Sequence, residues 1–370
     1  MGAYIAKRLL LMIPTLFGIM LMTFAIIQFV PGGPIERVIA QIQGTAVDAT
    51  ARFGGQSGGE VGRGQEAGGM GDSSIGVKYR GAQGLDPEFI KKLEVQFGFD
   101  KPAPERFFLM MKNYLTFNFG DSYFRDKPVV DLIIEKMPVS ISLGIWLALI
   151  TNFVSVPLGI RKAVKDGSTF DIWTSGVIIV GYAIPSFILA IFMIVMFAGG
   201  SYFNWFPLRG LTSDNFSDLS FFGKITDYAW HLVLPLIALG IGGFATTTLL
   251  TKNSFLDEIR KQYVVTARAK GLSERRVLYG HVFRNAMLIV IAGFPGAFLG
   301  AFFTGSLLIE QIFSLDGLGL LTFNSALNRD YPVFFANLYI FTLVGLLVAL
   351  ISDLTYTWVD PRIDFESRDL

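Results

Sequence analysis

Long stretches without a single charged residue decide what this chain can become. Leu9–Val30, Met137–Ile160, Ile172–Leu208, Tyr228–Thr251, Asn285–Ile309 and Tyr331–Ser352 contain no Asp, Glu, Lys or Arg. About 20 mostly apolar residues suffice for a helix to cross a bilayer, and 18 or more in a row mark a candidate span. Small soluble cores cannot absorb six such runs together with 35 Phe and 5 Trp. Only 16% of the residues are charged, against about 25% in an ordinary soluble domain. The expected fold class is therefore all-α, a polytopic membrane protein with six transmembrane helices.

The third run is the longest, and its end, GGSYFNWFPLRG, reads as an interfacial loop with aromatic anchors. One span is expected there, roughly Trp173–Ala198, with a bend at Gly181–Pro185. Lys7 and Arg8 precede the first run as they would a signal peptide. The run is too long for a signal core of about 7–15 residues, and PGGP is no small-residue cleavage site, so it reads as a retained span.

Lys and Arg in short loops set orientation. With the N-terminus inside, the segment between spans four and five holds eight basic residues against three acidic ones (Asp257, Glu258, Glu274). The short outer loops hold two and one basic residues. Both termini are expected in the cytoplasm. The segments are then 1–30 (N-terminus and first span), 31–84 (a flexible Gly-rich outer loop), 85–136 (a small helical extracytoplasmic cap), 137–357 (spans two to six, with a cytoplasmic loop at 252–285) and 358–370 (a cytoplasmic tail). The Gly-rich part, 54–84, has 12 glycines in 31 residues, too little apolar surface to offset the entropy of ordering. In the cap, Asp86 and Pro87 begin a helix that ends at Gly98. Pro104–Phe117 presents Phe107, Phe108, Met111 and Leu115 on one face, and Val129–Met137 leads into span two.

Enzyme readings fail on the residues. With no Cys and two His, a thiol nucleophile is excluded and a metal cluster is not expected; no catalytic or metal-binding residue is assigned. No phosphate-binding Gly-Lys-Ser/Thr loop or zinc-protease motif occurs. The net charge of +1 gives no footprint for nucleic acid.

The loop between spans four and five is longer than a chain reversal requires. Its sequence, TKNSFLDEIRKQYVVTARAKGLSERRVLYGHVFRNAM, is basic and amphipathic, with Gly271 as a helix stop and Ser273 as a new N-cap. YVVTARAKGLSERRVLYGHVFRNA resembles the cytoplasmic coupling loop of ATP-binding-cassette (ABC) importer permeases in their oligopeptide and dipeptide subclass. Val265 stands where the wider family has Glu, while Thr266–Gly271 matches the peptide subclass. The opening MGAYIAKRLLLMIPTLFGI and PGGP, then QFGFDKP, FNFGDSYF, FTGSLLIEQIFSLDGLGLL, DYPV and VDPRI extend the resemblance over nearly the whole chain. The Gly-rich insert, RKAVKDGSTFD and GGSYFNWFPLRGL are similar to members implicated in uptake of oligopeptides and conjugates such as microcin C.

This resemblance implies a type I importer permease in the bacterial inner membrane, cycling by alternating access. A second related permease would complete a heterodimer. A cytoplasmic ABC ATPase with two nucleotide-binding domains would bind ATP and Mg, this chain holding no cofactor. An extracytoplasmic peptide-binding protein would deliver substrate, and membrane lipid would surround the spans. Ala267, Gly271 and Leu272 would pack into the ATPase groove, with Thr266 and Ser273 beside them, while Arg268, Lys270, Arg275 and Arg276 meet its acidic rim. Asp353, Asn337, Pro185, Tyr182 and Glu310 are the candidates for the substrate path or a gate. Gln28, Asn152 and Asn337 also read as contacts between helices. Two other readings stay open: a receptor or scaffold without transport, and a permease for another small substrate such as a dipeptide or nickel chelate.

Overall fold

The computed structural model describes residues 2–30, 32–42, 79, 86–200, 202–303 and 306–359. The 54–84 stretch lies outside them except for Tyr79, as do the tail from 360, most of VDPRI, Pro31 of PGGP, and Thr304 and Gly305. Among the described residues the chain is helical, with one isolated bridge between Asp121 and Pro128. The helices are α1 (Gly2–Phe29), α2 (Pro34–Ile42), α3 (Pro87–Gln96), α4 (Ala103–Leu115), α5 (Val129–Val164), α6 (Thr169–Ala183), α7 (Ser186–Phe197), α8 (Phe221–Ile259), α9 (Gln262–Ala269), α10 (Glu274–Val277), α11 (Phe283–Phe303), α12 (Ser306–Ile312), α13 (Leu318–Asn328) and α14 (Tyr331–Val359). A π-helical turn, Leu278–Val282, joins α10 to α11.

Five stretches are long and apolar enough to cross a membrane: Tyr4–Phe29, Val129–Val164, Phe221–Ile259, Glu274–Gly296 and Tyr331–Thr355. The third apolar run supplies the sixth, but it is not one rod. It is α6 and α7, set at 96° to each other. The break falls where the sequence places a bend. Proline clashes with a helical residue before it, and Ile184 is accordingly extended, at φ −83° and ψ 120°. Pro14, Pro157, Pro235 and Pro295 stay inside continuous helices, as proline often does in membrane spans. Pro138 is absorbed likewise, so the segment entering span two is continuous with it as α5.

Contacts divide the chain into two compact units. The first comprises Met1–Leu10, Glu135–Leu320 and Leu343–Leu370. Its α5 and α8 approach so closely that a Cβ on Gly159 would lie 2.6 Å from Thr251 Cβ and 2.8 Å from the Thr248 carbonyl oxygen. Small residues permit such contact between membrane helices. Ser155 Oγ donates to the Phe244 carbonyl across the same seam at 3.1 Å. One core joins Leu143, Ala190, Met193, Leu232, Ala238 and Ile309. The Asn152 amide donates to Ala148 O of its own helix at 2.8 Å, so it is not the contact between helices that the sequence suggests.

The second unit comprises Leu11–Ile134 and Leu321–Thr342. Asp86 caps α3 by accepting from the Glu88 N–H at 2.9 Å, and Gly98 follows that helix at φ +71°. Ile35 and Ile39 of α2 pack with Ile90, Leu93 and Phe97. In α4 the buried side chains are Phe107 and Tyr114, whereas Phe108 and Leu115 are exposed. That corrects the expected face: Phe107–Met111 is an unbroken apolar run that goes right round the helix over one turn, so it does not say which side packs. Phe107 lies 5.4 Å from Phe17 and 5.3 Å from Phe24, ring centre to ring centre. Asp330, from the DYPV motif, accepts from Ser122 Oγ at 2.5 Å and from the Tyr123 N–H at 3.0 Å. Burial pushes its carboxyl upward, against both hydrogen bonds.

Candidate functional site

At the usual rise of 1.5 Å per residue, α8 is about 58 Å long, well beyond the ~30 Å hydrocarbon core. Its last turns therefore extend past the membrane, and α9 packs against them. α9 closes with a Schellman motif, in which the Leu272 N–H reaches Ala267 O at 3.3 Å and the Gly271 N–H reaches Arg268 O at 2.9 Å. Gly271 has φ +80°, with nothing within 4 Å of the position a Cβ would take. Only backbone strain therefore opposes a side chain there. Gly271→Ala is expected to cost about 1 kcal/mol, read as a small drop in the melting temperature of the purified protein. Ser273 then starts α10: its carbonyl accepts from the Arg276 and Val277 N–H groups at 2.9 Å each, while its hydroxyl caps nothing.

Val264 and Ala267 anchor α9 in a core with Ile160, Ala163, Phe255 and Val277. Ser254 Oγ ties α8 to α11 through Ala286 O at 2.6 Å. Ala267 is only 7% exposed, so its methyl is covered by its own chain and is not free to enter a partner's groove. Its small size serves to seat α9. The outward face is Gln262, Thr266 and Ala269, with Val265 at 48% exposure and Gly271 at the tip. Leu272 is half-buried against the same core.

Arg268 also differs from expectation. It clamps Glu274 across the break, Nε to Oε1 at 2.9 Å and Nη2 to Oε2 at 3.1 Å, so its charge is already partnered. Arg275 and Arg276 are exposed and make no ion pair among the described residues, as does Lys270.

Beside this loop lies a charged centre that the sequence reading does not single out. Lys162, 0% exposed, donates to Asp171 O at 2.9 Å, Thr174 Oγ1 at 2.7 Å and Ser175 Oγ at 2.7 Å. With its three N–H bonds committed, its 2.9 Å approach to Asp171 Oδ1 is an ion pair and not a hydrogen bond. Lys252 joins Asp171 at 2.7 Å and Asp166 at 2.9 Å. Ser168 caps α6 through the Asp171 N–H at 3.3 Å. The network links α5, α6 and α8 where α9 is seated. The charges of RKAVKDGSTFD signal it in the sequence, but their pairing with Lys252 depends on helix packing.

The five candidates for a path or gate have different surroundings. Asp353 accepts from Arg8 Nη2 at 2.5 Å and Tyr4 Oη at 2.9 Å, so it ties helix ends together. Glu310 is 0% exposed, and its Oε2 accepts from the Leu320 N–H at 2.6 Å at the start of α13. A Cβ on Gly317 would lie 2.6 Å from that carboxyl. Ser140 Oγ accepts from the neighbouring Leu318 N–H at 2.9 Å. A carboxylate in that position complements a helix N-terminus. Tyr182 and Pro185 are exposed at the break between α6 and α7. Asn337 is fully buried, and neither amide atom makes a hydrogen bond among the described residues. Gln28 bonds Phe24 O of its own helix at 3.3 Å and accepts from Arg106 at 2.9 Å. Among the described residues no group of three or more His, Asp or Glu is placed to hold a metal.

A family model for the binding-protein-dependent transport system inner membrane component matches residues 155–365. The chain is 68% identical over 370 residues to the peptidoglycan transport system permease protein YejB of Agrobacterium fabrum, covering 100% of both. It is 58% identical over 368 residues to the inner membrane ABC transporter permease protein YejB of Escherichia coli O157:H7, again covering 100% of both. It is 31% identical to the oligopeptide transport system permease protein AppB of Bacillus subtilis, covering 99% of this chain and 100% of that one.

Proposed function

The chain belongs to the family of binding-protein-dependent transport system inner membrane components, and on that premise we propose that it is the permease subunit of an ABC importer for short peptides and peptide conjugates. Its relatives' names support the substrate class: one is an oligopeptide permease and another a peptidoglycan permease. Peptidoglycan fragments carry a short peptide on a sugar, so the common element is the peptide. Conjugates such as microcin C fall in the same class.

The observation that carries the reading is α9. It is a short helix, stopped by Gly271, rooted in the chain's own core through Val264 and Ala267, with an uncharged outward face at Val265, Thr266 and Ala269. Such a knob transmits force only if its root is rigid. Partner ATPases bind and hydrolyse ATP with Mg, and their closure pushes on this face. Alternating access then needs only differential binding of ATP to the two conformations. Lys270, Arg275 and Arg276 are the cations left to meet an acidic rim.

Both termini lie in the cytoplasm of a bacterium, and the chain spans the inner membrane. A second related permease completes the path, and an extracytoplasmic binding protein delivers the peptide. Segments 31–84 and 85–136 belong to the extracytoplasmic side, 252–285 to the cytoplasmic side. Affinity-tagged chain from detergent-solubilised membranes is expected to bring down a P-loop ATPase and a second six-span protein. Deleting the gene is expected to abolish sensitivity to a toxic peptide conjugate. Unchanged sensitivity, with no ATPase recovered, would favour the receptor or scaffold reading.

A further inference from the structure

In the second unit, a cavity of about 410 Å³ opens between α1, α4 and the start of α14. Phe24, Gln28, Asp100, Lys101, Arg106 and Tyr331 are among its walls. Arg106 is the unusual member. Its guanidinium carbon sits 4.3 Å from the Phe99 ring centre and 5.9 Å from that of Phe24. Nη2 donates to the neutral Gln28 Oε1 at 2.9 Å, and the Nε–H is sealed in without an acceptor. No carboxylate pairs with it among the described residues, and burial pushes its pKa down. A cation held among rings and amides is costly unless an anion joins it.

Depth identifies the anion's source. Gln28 lies in the last turn of α1, and Tyr331 opens α14, so Arg106 stands where two spans leave the bilayer. Phe107, the next residue, packs on Phe17, which lies about 18 Å back along α1 from Phe29 at 1.5 Å per residue. Helix α4 therefore lies along the outer half of α1, so the extracytoplasmic cap reaches down to the edge of the hydrocarbon. Phe108, Leu109 and Leu115 are exposed there, and Leu109 also lines the cavity. An apolar surface at that depth, continuous with an unpaired cation at the interface, has the amphiphilic pattern of a phospholipid. We propose that this cavity binds a membrane phospholipid, its phosphodiester on Arg106 and an acyl chain over Leu109 and Phe108.

The test is lipid retention by the full chain, purified with its partners in nanodiscs of phosphatidylethanolamine and phosphatidylglycerol, measured by native mass spectrometry. One tightly held phospholipid is expected, and Arg106→Gln is expected to weaken its retention about tenfold, the worth of a charge-assisted hydrogen bond. Gln28→Glu places a carboxylate on Arg106 from within the chain. It is expected to weaken retention in the same direction while preserving the fold, and this variant carries the test if Arg106→Gln unfolds. Arg106→Lys is expected to retain most of the lipid. Equal retention by the wild type and Gln28→Glu would overturn the proposal, as would equal retention of an uncharged diglucosyl diacylglycerol. Displacement of the lipid by millimolar inorganic phosphate would assign the site to a free anion instead. Crosslinking of a photoreactive group at Phe108 to a partner subunit, and not to lipid, would overturn the acyl-chain half.

Discussion

Lys162→Ala is expected to destabilise the permease by about 3–5 kcal/mol, the range for removing one member of a buried ion pair. The ammonium is 0% exposed and holds the Asp171 carbonyl, Thr174 and Ser175, all on α6, from the end of α5. Alanine would leave a cavity, strip those three acceptors of their donor and leave Asp171 Oδ1 without a counter-charge. Lys252 would still neutralise Asp171 from the other side at 2.7 Å, which holds the loss within that range. Thermal melting of the purified protein measures the effect. Lys252→Ala is expected to cost less, because its side chain reaches solvent and Asp171 would keep Lys162. Equal and small losses in both variants would mean that Lys162 is hydrated in solution and the network carries no weight.

The second large effect is on coupling, and it separates two neighbouring alanines. Ala269→Trp puts a bulky ring on the exposed face of α9. Its melting temperature is expected to match the wild type, while uptake falls by at least tenfold and ATP hydrolysis by the assembled transporter continues. Ala267→Trp also abolishes uptake, but by another route. Its side chain would have to enter the core with Ile160, Ala163 and Val277, and overpacking there costs about 1–3 kcal/mol or more. It is therefore expected to lower the melting temperature and to loosen α9, detected as faster proteolysis or hydrogen exchange within 262–273. Reconstituted uptake and ATPase assays on both variants, beside melting curves, decide the matter. Normal uptake by Ala269→Trp would remove α9 from the coupling role.

The two alanines also show how much of this site the sequence carries. Thr266–Gly271 located the helix and its stop, because glycine at a helix end is written in local chain geometry. Which alanine faces inward was not legible. The loop packs on apolar helix ends, and its residues are small on both sides, so periodicity gives no preference. Arg268 poses the same problem in charge: its partner, Glu274, lies across the break, and only the turn at Gly271 brings them to 2.9 Å. Glu310 reads as part of a gate because it stands at the outer end of span five, before the turn-like FSLDGLG. The closed turn after α12 makes it the cap of α13.

By itself the sequence determined that the chain is a membrane protein, how many spans it has, where Pro185 bends one of them, and where the α9–α10 loop breaks. Those properties follow from transfer energies and from backbone rules that act over a few residues. The tertiary structure alone decided which faces are buried, that Lys162 and Lys252 share Asp171, and that no carboxylate among the described residues pairs with Arg106. In a bilayer the surface facing lipid is as apolar as the surface facing the core, so composition cannot tell them apart. Ionic partners come from positions as far apart as Arg8 and Asp353, and no local pattern records the packing that brings them together.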